Sequence, residues 1–265
     1  MNPNLKAENL ERFVLARGKV LVCLSGGVDS SVLLAYCARV LGRANTAAFI
    51  GAARYMIFPE IVSAKKLCAG LGVEVFERSV ELPEILGGNP PNRCYLCKRA
   101  IFKAARGVAA QIGAGAVFDG SNADDLSENR LGDAAKAELQ IQSPFAECGF
   151  AKSDIRALAE TLGMPETARK PSATCLMTRF AAGRSVSQAE LDFVASAEAF
   201  VKSLGFGVVR VRDCGGNFEL ELGAADMQNF TQQTASAVNS FFAANNAKLA
   251  SVGAYRFGRM SAKET

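Results

Sequence analysis

Lys19–Ser31 reads KVLVCLSGGVDSS, and two patterns meet inside it. Lys19–Leu24 is an apolar, β-branched run suited to a buried strand. Ser25–Gly27 predicts a turn, and Ser30–Leu41 a helix closed by Gly42. Gly26 and Gly27 lack a Cβ, so backbone N–H groups can close around an anion and φ can turn positive. The helix that follows adds unpaired N–H donors and the positive end of its dipole. Ser25, Ser30 and Ser31 contribute hydroxyls. Asp29 is the odd member, because a carboxylate repels phosphate; it makes sense as a ligand of Mg²⁺, directly or through water. The Lys that closes GxxxxGK[ST] is missing, so this is not a Walker loop. A bare Gly-Gly turn is commonplace, but SGGxDS after a hydrophobic strand is specific enough to read as a nucleotide phosphate loop.

The same alternation runs outward from this stretch. A helix is expected over 4–17, strands over Thr46–Ile50, Glu74–Val80 and Ala116–Asp119, and helices over Pro59–Leu71, Tyr95–Ile112 and Lys152–Leu162. Strand and helix in turn predict a parallel α/β sheet covered on both faces. Beyond Gly163 the texture changes. Residues 164–186 read as a linker or active-site loop, and Ser187 with Glu190 forms a capping box that opens a helix to Leu204. Val208–Arg212 and Phe218–Leu222 alternate like half-buried strands; 224–245 reads as one helix and Ser251–Tyr255 as a last strand. The expected organisation is a nucleotide domain over 1–170 and a small α+β domain for substrate or oligomerisation over 171–265.

Composition narrows the class. No apolar run reaches the roughly 18–20 residues of a membrane span, and the N-terminus MNPNLKAENLERF has no signal-like apolar stretch, so a cytoplasmic protein without a membrane partner is expected. The net charge of +4, from 30 Lys plus Arg against 26 Asp plus Glu, is too mild and too dispersed to argue for nucleic acid. Eight cysteines and no histidine point to core packing, metal binding or thiol chemistry rather than a disulfide framework, and exclude Cys/His zinc sites. Cys94 and Cys97 form a CxxC at a helix start beside Arg93, Lys98 and Arg99, a setting that favours thiolates. By itself that pair is compatible with zinc, iron–sulfur or dithiol use. Cys175 lies in the irregular KPSATCLMTRF. Cys23, Cys37 and Cys68 read as structural, and Cys148 and Cys214, in turns, remain possible fourth ligands.

SGGVDSS resembles the PP-loop family, whose adenine nucleotide alpha hydrolase-like members cleave ATP between the α and β phosphates. A wider set of segments, NRCYLCK at 92–98, DGSNADD at 119–125, QSPFAECGFAKSDIRALAETLGMP at 142–165, KPSATCLMTRF at 170–180, SAEAFVKSLGF at 196–206 and VRVRD at 209–213, resembles the LarE family in order and spacing. These are ATP-dependent sacrificial sulfur transferases that make thiocarboxylates of the nickel-pincer nucleotide cofactor. The resemblance implies a PP-loop domain with a small C-terminal α+β domain. It further implies ATP and Mg²⁺ at Ser25, Gly26, Gly27, Asp29 and Ser30, with Asp124 and Asp125 facing ATP or its metal. Cys94, Cys97 and Cys175 match the subgroup in which three cysteines hold a 4Fe–4S cluster, and Lys98, on the helix it shares with Cys97, is within reach of the phosphates. Arg179, Arg210 and Arg212 match positions that handle a substrate phosphate, and Glu198 a substrate-side acid. The implied partners are a small-molecule mononucleotide carboxylate, a sulfide donor and further copies of the chain in a homo-oligomer. Two stretches depart from the family: SENRLGD at 127–133 lacks a Tyr-Arg-Pro-Gly, and FAAGRS at 180–185 replaces a Pro-Tyr-Gly-Thr. Three other functions compete with this one: a tRNA-thiolating PP-loop enzyme, an amide-forming ligase, and a non-catalytic nucleotide binder with structural zinc.

Overall fold

A computed structural model describes residues 3–53, 55, 58–127, 132–171 and 174–255. The chain divides into two compact units, Met1–Pro83 with Asn92–Ala173, and Glu84–Pro91 with Thr174–Thr265. Among the described residues no helix is long and apolar enough to cross a membrane.

In the first unit α1 (Pro3–Leu15) leads to β1 (Val20–Cys23), α2 (Val28–Leu41), β2 (Thr46–Ala52), α3 (Phe58–Leu71), β3 (Glu74–Ser79), α4 (Arg93–Ile112) and β4 (Ala116–Phe118). The shorter helices α5 (Ala123–Ser127), α6 (Asp133–Glu138), α7 (Pro144–Glu147), α8 (Lys152–Thr161) and α9 (Pro165–Arg169) complete it. The strands form one parallel sheet in the order β3-β2-β1-β4, with Val20 opposite Thr46 on one side and Ala116 on the other. Side-chain alternation along β1 explains why both faces are covered. Val20 and Val22 pack with Leu10, Leu33 and Ile155, while Leu21 packs with Phe102, Val108 and Val117 on the opposite face. The α/β parallel sheet expected from the sequence is therefore what forms. The outer strand β3 is mostly exposed and carries charges, with Glu77 paired to Lys65, which protects a free sheet edge.

The strand order places β2 on one side of β1 and β4 on the other. The strand order reverses there, and the crevice beyond the carboxyl ends of β1 and β4 is where open α/β sheets take ligands. Close backbone packing shapes that crevice. A Cβ on Gly120, just after β4, would lie 2.6 Å from the Ser30 backbone nitrogen, so only glycine lets the β4 loop rest against α2.

The second unit holds 3₁₀ turns at Glu84–Gly88 and Leu176–Arg179, then α10 (Gln188–Ser203), β5 (Val209–Asp213), β6 (Phe218–Leu222), α11 (Gln232–Ala244) and β7 (Leu249–Ala254). β5 and β6 are antiparallel, and β7 joins β6 in parallel. The Ser187–Glu190 capping box is present: Ser187 Oγ accepts from the Glu190 N–H, and the Glu190 carboxylate accepts from the Ser187 N–H. Residues 84–91 join this unit through buried Asn89, whose side-chain amide donates to the carbonyls of Phe180 (3.2 Å) and Ala181 (2.8 Å).

Several expectations change. The strands expected to be half-buried are buried along almost their whole length, because α10 and the 176–179 turn cover the polar face as well. The single helix over 224–245 is a 3₁₀ turn at Met227–Asn229 followed by α11, which Thr231 caps from its side chain. The expected linker contains α9 and the Leu176–Arg179 turn.

Candidate active site

The phosphate loop spans the gap from β1 to α2. Gly26 takes φ +81°, and a Cβ there would lie 2.3 Å from the Glu60 carbonyl oxygen at the start of α3. Ser25 Oγ and Ser30 Oγ are 3.1 Å apart, and the Ser25 N–H donates to Ser30 Oγ at 3.2 Å, closing the loop on itself. Gly27 is the N-cap of α2 and no side chain caps it. The first N–H groups of any α-helix lack helical partners; here that end of the helix, with the positive end of its dipole, lies at the switch point.

Asp29 sits in the first turn of α2, and the structure adds two partners that the motif does not show. Lys152 Nζ donates to Asp29 Oδ1 at 2.5 Å, and Asn122 Nδ2 donates to Oδ2 at 3.2 Å. Asp124 and Asp125 serve the surrounding loops. Asp124 Oδ2 accepts from the Lys152 N–H at 2.8 Å, which caps α8 and aims the Lys152 ammonium group at Asp29. Asp125 Oδ2 accepts from the Asn122 N–H, while Asn122 Oδ1 accepts from the N–H groups of Asp124 and Asp125. Below them Asp119 accepts from Ser121 Oγ (2.6 Å) and Ser143 Oγ (2.5 Å), fixing the exit from β4. Lys98, half-buried on α4, packs its stem against Gly132, and its charge opposes the burial that raises the Cys23 thiol.

The cysteines separate into two groups. Cys37, Cys68 and Cys148 are buried; burial pushes all three thiols up, Cys68 to about 11, so they are protonated packing groups near neutral pH. Cys23, at the end of β1, is raised by burial and then by Asp119. Cys94 is exposed and Cys97 half-exposed, one turn apart in the first turns of α4. Cys175 is exposed and belongs to the second unit, as N-cap of the Leu176–Arg179 turn. Among the described residues no three Cys, Asp or Glu side chains converge on a point able to hold a metal ion.

In the second unit the residues expected to anchor substrate form a buried charged cluster. Arg179, fully buried, makes a two-pronged pair with Glu198 (Nε–Oε1 2.6 Å, Nη2–Oε2 3.1 Å), and its Nη1 donates to Thr174 Oγ1 and Thr178 Oγ1. Glu198 Oε1 also accepts from the Val211 N–H. Arg212 donates to Glu221 Oε2 at 2.7 Å and to the Thr178 carbonyl. Arg210 lies 5.5 Å from the Tyr255 ring centre; burial and then the neighbouring Arg179 disfavour its charge. The solvated face that scattered surface arginines would give is therefore not what forms. Glu221, Thr174 and Thr178 complete this cluster, Lys152 and Asn122 the one at the loop, and none of the five stands out in the sequence.

A switch-point crevice with an uncapped helix N-terminus behind SGGVDSS defines an ATP-using α/β unit of the PP-loop superfamily. Residues 7–92 match the asparagine synthase family. An uncharacterized protein of Synechocystis sp. is 32% identical over 229 residues, 86% of this chain and 85% of that one. The pyridinium-3,5-bisthiocarboxylic acid mononucleotide synthase of Lactiplantibacillus plantarum is 31% identical over 214 residues, 80% of this chain and 77% of that one. A probable tRNA sulfurtransferase of Methanobrevibacter smithii is 27% identical over 172 residues, 60% of this chain and 45% of that one. The chain belongs to the LarE family, and it is an ATP-dependent sulfurtransferase.

Proposed function

We propose that the protein adenylates a carboxylate carried by a mononucleotide and converts it to a thiocarboxylate, in the biosynthesis of a nickel-pincer nucleotide cofactor in the cytoplasm. The observation that carries this reading is the similarity to a bisthiocarboxylic acid mononucleotide synthase over 80% of this chain and 77% of that one. A substrate carboxylate oxygen attacks the α-phosphorus of ATP, and pyrophosphate leaves with the electron pair of the broken P–O bond. Sulfide then adds to the carbonyl carbon of the acyl-adenylate and AMP leaves, exchanging a C–O bond for C–S. Activation is needed because a free carboxylate is a poor electrophile with a poor leaving group.

The backbone donors around Gly26, Gly27 and Ser30 offset the charge that builds on phosphate. Asp29 would hold Mg²⁺, a hard cation suited to one carboxylate plus phosphate oxygens; Lys152 and Asn122 keep that carboxylate aimed. Thiolates of Cys94, Cys97 and Cys175 suit iron–sulfur ligation, and a bound 4Fe–4S cluster would supply sulfide from the iron that no cysteine occupies. Arg179, Arg210 and Arg212, with Glu198 as their counter-charge, would receive the substrate phosphate; an anion there relieves the repulsion that Arg179 imposes on Arg210. A homo-oligomer is part of the proposal.

A second reading, thiolation of tRNA, rests on the probable tRNA sulfurtransferases, of which this chain spans less than half. One anaerobic assay separates the two. Protein, ATP, sulfide and carboxylated pyridinium mononucleotides should yield AMP, pyrophosphate and a mononucleotide in which sulfur replaces oxygen. Sulfur entering tRNA instead would select the second reading, and ADP with phosphate would remove PP-loop chemistry. Anaerobic protein should contain about four irons per chain, lost with sulfur transfer in Cys94→Ala, Cys97→Ala and Cys175→Ala but kept in Cys37→Ala. Iron-free protein whose Cys175 loses ~34 Da, the mass of H₂S expelled on conversion to dehydroalanine, would replace the cluster by a sacrificial cysteine.

A further inference from the structure

Lys170, at the end of α9, is absorbed by no step above, yet it touches the phosphate loop. Its Nζ donates to the Gly26 carbonyl at 2.9 Å and to Glu60 Oε2 at 2.6 Å. It is itself held in place: Arg156 of α8 donates through Nη2 to the Lys170 carbonyl at 3.0 Å and through Nη1 to the carbonyl of Ala168. The same helix supplies Lys152 to Asp29. α8 therefore grips the loop twice, once at the Asp29 side chain and once, through Lys170, at the Gly26 backbone.

The backbone contact has a directional consequence. No described peptide bond is cis. In a trans peptide the C=O and N–H point to opposite sides. A carbonyl drawn onto Lys170 thus turns the N–H of the same peptide unit, that of Gly27, the other way. That N–H now has only a 3.4 Å contact with Ser25 Oγ, long enough to be exchanged for a better acceptor. Turning this peptide over changes ψ of Gly26 and φ of Gly27, and neither glycine has a Cβ to resist it, so local geometry does not stop the flip.

We propose that Lys170 is a positioning residue for the phosphate loop: by holding the Gly26 carbonyl, it keeps the Gly27 N–H turned toward the bound nucleotide. The Glu60 carboxylate accepts a second bond from the same ammonium group, while α8, through Arg156, fixes where Lys170 starts, and the bond to Gly26 does the orienting. This inference needs ATP at the loop but not the identity of the sulfur acceptor, so its test omits substrate and sulfide.

The full-length protein is titrated with Mg²⁺ and α,β-methylene-ATP by calorimetry. Lys170→Met should weaken binding about 10- to 100-fold, the scale on which small misplacements of a donor act, with a thermal midpoint close to that of the unaltered protein. Lys170→Arg, which can still donate to the carbonyl, should recover most of the affinity. Glu60→Gln keeps the Gly26 bond and should bind nearly as the unaltered protein does. Unchanged affinity in Lys170→Met overturns the proposal. So does a Glu60→Gln variant as weak as Lys170→Met, since the ion pair rather than the carbonyl tether would then matter. Should Lys170→Met fail to fold, Lys170→Leu, which keeps an aliphatic stem and donates no hydrogen bond, takes its place and is read by the same outcomes.

Discussion

The two charged clusters of this protein are built on opposite plans. At the phosphate loop the charges sit at a partly open rim: Asp29 and Lys152 are 20% and 30% exposed, each pair is single-pronged, and the helix N-terminus behind them has no side-chain cap. In the second unit Arg179 and Glu198 are 0% and 4% exposed, doubly bonded and braced by Thr174, Thr178 and the Val211 N–H. Exposed pairs are worth little because water competes and side chains must be ordered. Buried pairs matter most when broken, since the survivor is left as an uncompensated charge. The loop cluster can therefore exchange partners when a ligand arrives, whereas separating Arg179 from Glu198 is costly, so a phosphate there would add to that pair rather than replace it.

The largest effect should follow from breaking the buried pair. Glu198→Ala strands Arg179, removes the acceptor of the Val211 N–H and leaves Arg210 among unbalanced positive charges. It should destabilise the protein by about 3–5 kcal/mol, read from urea unfolding followed by circular dichroism. Glu198→Gln, which keeps the shape and an acceptor, should lose less. A Glu198→Ala loss below 1 kcal/mol would mean the cluster is no more cohesive than a surface pair. The same reasoning affects any test of substrate anchoring. Arg212→Ala unpairs buried Glu221, so a fall in substrate affinity counts as anchoring only if stability is measured beside it.

The reverse profile is expected at the loop. Asp29→Ala should reduce ATP turnover by about 10²-fold or more, the scale of losing a main electrostatic contact to the reacting phosphates. Its stability loss should stay near 1 kcal/mol, that of one hydrogen bond left without its acceptor at buried Asn122. If Asp29→Ala unfolds the protein as readily as Glu198→Ala, the contrast between the clusters collapses.

What the sequence disclosed follows the same divide. KVLVCLSGGVDSS was legible because strand, turn and helix are consecutive and each local signal agrees with the next. Lys152, Asn122 and Lys170 were not, because they reach Asp29 and Gly26 across 123, 93 and 144 residues, and no spacing rule reports such contacts. The alternation over 208–212 was legible, and it puts Arg210 and Arg212 on one face of a strand. Their burial escaped notice, because alternation shows which residues lie together and not what covers them. The segment 84–91 looked like a loop of the first unit. Its membership of the second depends on Asn89, a polar residue whose fully buried setting no local pattern announces. The departure at 127–133 lies largely outside the described residues, whereas Gly183, in the one at 180–185, donates its N–H to the Asn89 carbonyl at 2.7 Å.

The smallest expected effect sharpens the comparison through pH. Cys68 lies in the core of the first unit, and burial raises its thiol from the ordinary 9.0 to about 11. Folding thus favours the protonated thiol. With the folded value above the unfolded one, the contribution is fully present below pH 9 and is lost as pH rises toward 11, because only the unfolded chain ionises easily in that window. Cys37 and Cys148, in the same core, are shifted in the same direction. The urea midpoint should therefore decline between pH 9 and 11. Cys68→Ala should start lower at pH 7, because it leaves a small cavity, yet fall less steeply over that interval. A Cys68→Ala slope as steep as that of the unaltered protein would mean that the alkaline weakness lies outside the core of the first unit, and that this core, like the buried pair of the second, keeps its cohesion where the phosphate-loop rim does not.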